Sequence, residues 1–165
     1  MYKIKFKKFV LNLITITVIF LADRVSKIYI LKIADLQNVV DIYLTPYANF
    51  YLIWNKGIAF GLFSFEGNFL YNLITLIIMT IIIAVFVLTI NTNGFRRYAL
   101  LFVLGGALGN FFDRIYYSAV PDFIDLHINN FHWFIFNVAD IFITLGIICL
   151  IFDEIRHIIP NVINI

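Results

Sequence analysis

Residues 105–140 read GGALGNFFDRIYYSAVPDFIDLHINNFHWFIFNVAD, and the interpretation of the whole chain starts from this stretch. Among strongly apolar neighbours it carries a series of polar side chains, at Asn110, Asp113, Arg114, Asp122, Asp125, Asn137 and Asp140. An ionisable group at membrane depth costs roughly 2.5–3.5 kcal/mol even on lenient insertion scales. Several in succession therefore predict a polar site inside a helix bundle or at its mouth, with the rest of the chain as its scaffold.

The composition indicates an integral membrane protein. Of the 165 residues, 62% are hydrophobic and 13% are charged, with a mean hydropathy of +0.95. A soluble domain of this size carries about 25% charged residues. The length suits one domain, residues 1–165. The net charge of +2 gives no indication of a nucleic-acid partner.

Apolar runs predict a membrane all-α fold with four transmembrane helices, at about residues 9–30, 69–90, 98–117 and 134–152. A run of about 22 residues crosses a hydrocarbon core of ~30 Å at 1.5 Å per residue. Residues 91–97 are predicted to be a turn, and residues 118–133 an exposed connection. Residues 32–68 contain Pro46 and pieces rich in aromatic and β-branched residues, which predict a small β-rich element with a surface helix.

The positions of lysine and arginine predict the orientation. The amino terminus, the 91–97 turn and the carboxyl-terminal tail hold seven of the twelve basic residues in few positions. Positive charge concentrates on the cytoplasmic side. Both termini are therefore expected to be cytoplasmic, and residues 32–68 and 118–133 should share the outer face with the polar site.

The third predicted helix combines glycines with polar residues. Gly105, Gly106 and Gly109 have the small-residue spacing that allows close helix packing in lipid. Asn110 and Arg114 lie four residues apart on one helix face. Two interpretations remain open for them: an interhelical clamp in which Asp113 pairs with Arg114, or direct binding of substrate backbone. In the first helix, Asp23 and Lys27 are also four apart and can pair.

Asp122 and Asp140 are the candidate catalytic residues. Asp122 precedes the fourth predicted helix, and Asp140 lies one turn past Asn137, about two turns below the outer surface. Two carboxylates that converge at a membrane boundary share a proton, so one can activate water while the other protonates. The spacing alone leaves a second interpretation open, in which one aspartate is a surface residue and the other is structural.

Other chemistries have little support in the sequence. His127, His132 and His157 are scattered and no HExxH is present, so interfacial histidines are expected rather than metal ligands. No serine lies in a Gly-x-Ser-x-Gly setting. No metal and no cofactor are predicted.

Five ordered motifs resemble the bacterial lipoprotein signal peptidases (signal peptidase II): Asp23-x-x-Ser26-Lys27, Asn55-x-Gly57-x-Ala59-Phe60, Gly105-Gly106-Ala107-Leu108-Gly109-Asn110-x-x-Asp113-Arg114, Val120-x-Asp122-Phe123 and Phe136-Asn137-x-Ala139-Asp140. The resemblance implies an intramembrane aspartic endopeptidase of the bacterial inner membrane, with an outer β-cradle and a surface helix. Its expected substrate is a diacylglyceryl-modified prolipoprotein, cleaved before the lipidated cysteine. Membrane lipid is the other expected partner, and no obligate protein partner is implied.

The resemblance also assigns residues to roles. Asp122 and Asp140 match the catalytic pair. Asn55, Gly57, Asn110, Arg114 and Asn137 are the candidates for substrate binding. The expected supporting residues are Asp23, Lys27, Gly105, Gly106, Gly109, Asp113, Val120 and Ala139. Two positions depart from the family pattern: Arg24 replaces the usual glutamine, and Pro121 replaces an aliphatic residue before the first aspartate.

Two other functions compete with peptidase activity. A small transporter or channel subunit could use Asp113, Asp122 and Asp140 as a cation or proton path. An assembly factor would bind prolipoproteins without turnover. Replacement of Asp140 by asparagine separates these functions, because it stops hydrolysis only in a peptidase.

Overall fold

The computed structural model describes residues 2–37, 39–57, 68–129 and 131–163. The elements are, in chain order, α1 (Tyr2–Gln37), β1 (Asp41–Thr45), β2 (Ala48–Asn55), α2 (Asn68–Asn91), α3 (Gly94–Tyr117), β3 (Val120–Ile128), β4 (Phe131–Phe136) and α4 (Val138–Ile163). The described chain is therefore mostly helical, with one four-stranded antiparallel sheet in the order β1-β2-β3-β4.

Three helices in the described part of the chain are long and apolar enough to cross a membrane: Lys7–Gln37, Phe69–Asn91 and Gly94–Tyr117. They correspond to the first three predicted spans, which makes this a membrane protein. The helix α4 is not among them. Its uncharged stretch between Asp140 and Asp153 is shorter than the ~20 apolar residues that a span requires. The predicted count of four spans is therefore not confirmed.

The helix α3 is central, in contact with α1, α2, α4 and β3. Its glycines allow this packing. A Cβ at Gly105 would lie 2.9 Å from Ile19 of α1, and one at Gly106 would collide with the carbonyl oxygen of Ala139 in α4. On α4, which packs against α3, a Cβ at Gly146 would lie 2.6 Å from the carbonyl oxygen of Ala99 in α3. The packing interpretation of the α3 glycines is confirmed.

The sheet rests on the carboxyl-terminal end of α1. The 36 residues of α1 extend roughly 54 Å, well beyond a ~30 Å hydrocarbon core, so part of the helix is free to support another element. A buried apolar cluster lies beneath the strands. It is formed by Ile30 of α1, by Val40, which precedes β1, and by Phe123 of β3. This cluster fixes β3 relative to the helices.

Several predicted boundaries are wrong. Residues 118–133 are not an exposed connection, because they include all of β3 and the first half of β4, and β3 is largely buried. The fourth helix begins at Val138 rather than residue 134, since the apolar run Phe134–Phe136 completes β4. The 91–97 turn is reduced to Thr92 and Asn93 between α2 and α3.

The β-rich prediction for residues 32–68 is confirmed for β1 and β2. Its first residues, up to Gln37, belong instead to α1. Between β2 and α2 the structure describes only Lys56 and Gly57. The predicted surface helix has no counterpart in the described parts of the segment, and residues 58–67 lie outside them.

Candidate active site

Asp122 lies on β3 and is held by two neutral amides. Asp122 is only 1% exposed to solvent. One carboxylate oxygen accepts a hydrogen bond of 2.9 Å from Nδ2 of Asn55, at the end of β2. The other accepts a bond of 2.6 Å from Nδ2 of Asn137, which follows β4. The side chain is therefore fixed from both neighbouring strands of the sheet.

Asp140 lies in the first turn of α4, and Asn137 caps this helix. The Asp140 N–H donates to Oδ1 of Asn137 at 3.1 Å, and the Asn137 N–H donates to Oδ2 of Asp140 at 3.2 Å. This reciprocal pattern is a capping box. Asn137 thus precedes α4, whereas the sequence predicted that it lies inside the helix. Asp140 is in the first turn of α4 and not two turns below the outer surface, as predicted. The remaining Asp140 oxygen accepts a bond of 2.8 Å from Nδ2 of Asn110 on α3.

Asn137 brings the two aspartates together, because it bonds to Asp122 through its side chain and to Asp140 through its backbone. Burial, followed by the negative charge of Asp140, raises the pKa of Asp122 to about 7. The amides of Asn55 and Asn137 and the charge of Lys27 act in the opposite direction but do not offset the rise. A buried carboxyl with this pKa is able to exchange a proton near neutral pH.

An apolar groove of about 280 Å³ reaches this pair. It is lined by Phe136, Asp140, Ile141, Thr144 and Leu145. Most of its surface is apolar, with the Asp140 carboxylate at one side. The groove suits a hydrocarbon chain or an apolar peptide segment whose polar end meets the aspartates.

A network of opposite charges lies next to the pair, between α1 and α3. Lys27 is fully buried, and its Nζ lies 2.9 Å from Asp23 and 2.6 Å from Asp113. The predicted pairing of Asp23 with Lys27 is confirmed. The same Nζ donates to Oδ1 of Asn110 at 2.9 Å, so Asn110 connects this charge network with Asp140.

Arg24 completes the network, and sequence reasoning did not find this role. Its Nη2 donates to Asp23 at 2.8 Å and to Asp113 at 2.7 Å. The predicted pairing of Asp113 with Arg114 is wrong, because Asp113 pairs with Lys27 and Arg24. The only available signal was that the buried acids Asp23 and Asp113 required a second cation beside Lys27.

Asp23 also holds the start of α4. Its Oδ1 accepts a bond of 3.0 Å from the N–H of Ala139, one of the amides that a helix start leaves without an intrahelical partner. A Cβ at Gly109 would lie 2.6 Å from Oδ2 of Asp23, so only glycine leaves room for this carboxylate. Ala139 and Gly109 therefore support the site through Asp23.

Arg114 lies on α3 and contacts Gly57, two residues past the end of β2. Its Nη2 donates to the carbonyl oxygen of Gly57, while its Nη1 is buried and has no hydrogen-bond partner among the described residues. The Gly57 N–H donates to Oδ1 of Asn55 at 2.8 Å. Arg114 is thus connected to Asp122 through Gly57 and Asn55, and it retains one unpaired donor.

Val120 and Pro121 begin β3. Val120 is buried opposite Asn55, and Pro121 lies opposite Trp54. Pairing of β3 with β4 starts only at Ile124, so β3 has a single neighbouring strand at Pro121. A strand position of this kind tolerates the missing N–H of proline.

Three of the residues predicted to bind substrate, Asn55, Asn110 and Asn137, bond to the two aspartates directly. Gly57 and Arg114 are connected to Asp122 through Asn55, and Asp23, Lys27 and Asp113 are connected to Asp140 through Asn110. Gly105 lies apart from the pair and packs against Ile19 of α1. The structure also brings together two histidines that the sequence suggested were scattered. His127 and His132 lie beside Asp125 on the β3–β4 hairpin.

Comparison with known proteins shows similarity along most of the chain. Residues 15–156 match the family described as Signal peptidase (SPase) II. The chain is 57% identical to a lipoprotein signal peptidase of Pelagibacter ubique over 154 residues, 93% of each chain. A lipoprotein signal peptidase of Anaplasma phagocytophilum is 41% identical over 91% of this chain and 95% of its own. A solved bacterial membrane enzyme superposes with a TM-score of 0.72 at 32% identity, covering 88% of this chain and 87% of that one.

Proposed function

The chain belongs to the signal peptidase II family, whose members remove signal peptides from prolipoproteins, and on that premise we propose that Asp122 and Asp140 perform the hydrolysis. The observation that carries this proposal is the bridging position of Asn137, which bonds to both carboxylates. Their side-chain hydrogen bonds come from Asn55, Asn110 and Asn137, all neutral amides that leave a proton free to move between the two acids.

The proposed reaction is general acid–base hydrolysis without a covalent intermediate. One aspartate of the pair removes a proton from a water molecule, and the resulting hydroxide attacks the peptide carbonyl. The other aspartate donates a hydrogen bond to the carbonyl oxygen and then transfers its proton to the leaving amine. The pair starts and ends each cycle with one proton, and the pKa of Asp122 near 7 supports this state at neutral pH.

The proposed substrate is a prolipoprotein with a diacylglyceryl-modified cysteine, cut just before that cysteine. Asn55, Asn137 and Arg114 are proposed to position the peptide backbone. The unpaired Nη1 of Arg114 supports this role, because it offers a donor for a substrate carbonyl. The apolar groove beside Asp140 would accept hydrocarbon from the substrate or from membrane lipid.

The proposed topology has four spans in the bacterial inner membrane, with α4 as the fourth. Both termini lie in the cytoplasm and the aspartates face the outer side. The distribution of lysine and arginine supports this orientation. The partly buried Asp140 at the first turn of α4 supports a site near the outer boundary, where the sheet ends and the helix begins.

Incubation of the purified protein with a diacylated precursor tests the proposal, with product length followed by mass spectrometry. The expected result is a single cut before the modified cysteine, and no cut in Asp140→Asn. Asp153→Asn is the matched control, since this acid lies in the same helix away from the pair and should leave cleavage intact. Turnover by Asp140→Asn at the wild-type rate would contradict the assignment, and a cation flux without cleavage would favour a transporter.

A further inference from the structure

Three potential metal ligands meet on the β3–β4 hairpin, away from the two catalytic aspartates. The carboxylate of Asp125 and one nitrogen each of His127 and His132 all lie within 4.8 Å of one another. Nδ1 of His132 is 2.8 Å from Oδ2 of Asp125, and Nδ1 of His127 is 3.7 Å from the same oxygen. The two imidazole rings are stacked, with centroids 5.0 Å apart.

A β-bulge produces this meeting. Asp125 lies opposite Ile135, and with regular pairing His127 would lie opposite Trp133. The register shifts between Asp125 and His127, so that His127 lies opposite His132 instead. A shift of one residue turns a side chain to the other face of the sheet, and bulges commonly redirect side chains at functional sites. The irregularity places both histidines on one face.

Within the described part of the chain, the cluster also contains buried polar atoms without hydrogen-bond partners. The Asp125 side chain is 4% exposed, and its Oδ1 accepts no hydrogen bond. The His127 side chain is 10% exposed, and its Nδ1 has no hydrogen-bond partner. Across the sheet, Asn49 lies opposite Asp125 and its Oδ1 is likewise buried and unpaired. Buried polar atoms usually have a partner, so the unpaired atoms of Asp125 and His127 mark a place where a ligand can bind.

From this geometry we infer that Asp125, His127 and His132 bind a divalent cation of the zinc class. Two imidazole nitrogens and one carboxylate oxygen form a donor set that zinc accepts, with a fourth position for water. Tetrahedral zinc separates its ligand atoms by roughly 3.3 Å. His132 is half exposed, so its side chain can rotate to close the remaining gap.

The ion would link β3 to β4 and stabilise the hairpin that carries the site. Asp122 lies at the start of this hairpin and Asn137 directly follows its second strand. The role is structural, since none of the three ligands contacts Asp122 or Asp140 through a hydrogen bond in the described structure. The inference does not depend on the proposed hydrolysis.

Zinc titration of the full chain tests the inference. The protein is purified in detergent with an affinity tag that contains no histidine, stripped with a chelator and titrated with zinc chloride in a calorimeter. The expected result is one zinc ion per chain, with a rise in melting temperature of roughly 5 °C at saturation. His127→Gln and His132→Gln should each weaken binding by at least about tenfold.

Two controls make the result specific. His157→Gln removes a histidine on α4 outside the cluster and should bind zinc as the wild type does. Asp122→Asn should also retain zinc, which separates this site from the hydrolytic one. If the cluster variants fail to fold, X-ray absorption of zinc-loaded wild type should still show two imidazole ligands. Absence of saturable binding, zinc without imidazole ligands, or equal binding in His127→Gln and His132→Gln would overturn the inference.

Discussion

Two pairs of aspartates lie side by side in this protein, all buried except the partly buried Asp140, and the two pairs have different partners. Asp23 and Asp113 are in contact with the cations of Arg24 and Lys27. Asp122 and Asp140 instead receive side-chain hydrogen bonds from asparagine amides. The first group balances two negative charges with two positive ones. The second leaves its negative charges without a direct cationic partner.

The contrast explains how one scaffold holds both structural and reactive acids. A cation beside a carboxylate favours the charged form, which makes the group a stable fixture. An amide orients a carboxylate and adds no charge, so burial and the second acid control its proton. Asn110 separates the two groups, since it accepts from Lys27 with its oxygen and donates to Asp140 with its nitrogen. The following substitutions test whether the two pairs really differ in role.

Asp122→Asn should have the largest effect on cleavage. The variant keeps the side-chain shape and removes the proton-transfer group, so the rate should fall by roughly 10²–10⁴-fold. The melting temperature should change little, because removal of a buried carboxyl that is costly to ionise offsets the loss of one acceptor for the amides of Asn55 and Asn137. Cleavage is measured on a diacylated precursor, and unfolding is followed in the same detergent. Activity within tenfold of the wild type would show that Asp122 is structural.

Lys27→Met should have the opposite profile, with a large loss of stability. It leaves Asp23 and Asp113 buried with Arg24 alone, and breaking a buried ion pair in this way costs about 3–5 kcal/mol. Denaturant unfolding in micelles measures the change. Arg96→Met is the matched control, because its pair with Glu154 is half exposed and should be worth less than about 1 kcal/mol. Equal effects of the two substitutions would remove the distinction between the pairs.

The pH dependence of stability should come from Asp122. Its pKa rises from 3.8 to about 7 on folding, so the folded state binds this proton more tightly than the unfolded state. The resulting stabilisation is complete below about pH 4, declines as pH rises towards 7 and is absent above it. The expected slope between these limits is up to about 1.4 kcal/mol per pH unit.

Comparison of wild type with Asp122→Asn isolates this contribution. The variant lacks the titrating group, so its stability relative to wild type should increase with pH between about 4 and 7. Unfolding midpoints measured at several pH values provide the test. A difference that stays constant across this interval would mean that Asp122 does not bind a proton on folding.

Asn137→Ala should have a smaller effect on stability than Lys27→Met and a smaller effect on cleavage than Asp122→Asn, although it affects both sides of the site. Loss of the cap at the start of α4 costs about 1 kcal/mol, and loss of the donor to Asp122 should slow cleavage by about tenfold. Asn137→Ser separates the two roles. Serine is able to cap the helix, so stability should recover while cleavage stays slow. Recovery of both would mean that the amide of Asn137 matters only as a cap.

Much of this site was predictable from sequence because lipid makes polar residues conspicuous. Asp23, Asn110, Asp113 and Asp140 lie in or beside apolar runs, where a polar residue needs a partner. The pairing of Asp23 with Lys27 followed from helix spacing alone. The partner of Asp113 did not, because no spacing rule relates it to Arg24, 89 residues away.

The boundary between β4 and α4 was mispredicted for a local reason. The run FHWFIF is apolar throughout, and a short apolar run does not distinguish a strand from a buried helix. The spacing Asn137-x-x-Asp140 carried the missing signal, since it resembles a capping box and marks a helix start. The sequence carried no comparable signal that His127 and His132 lie side by side. It depends on a bulge in the strand pairing, which the sequence does not specify on its own.

The position of Asp23, Arg24 and Lys27 on one helix has a consequence for biosynthesis. The chain emerges from the ribosome with α1 first, so this helix meets lipid before α3 exists. Asp23 already balances one of the two cations of the buried network, Arg24 and Lys27, at that stage, which leaves one positive charge of the network unbalanced. Asp113 cancels it when α3 follows. The order in which the helices are made is therefore also the order in which their charges are neutralised.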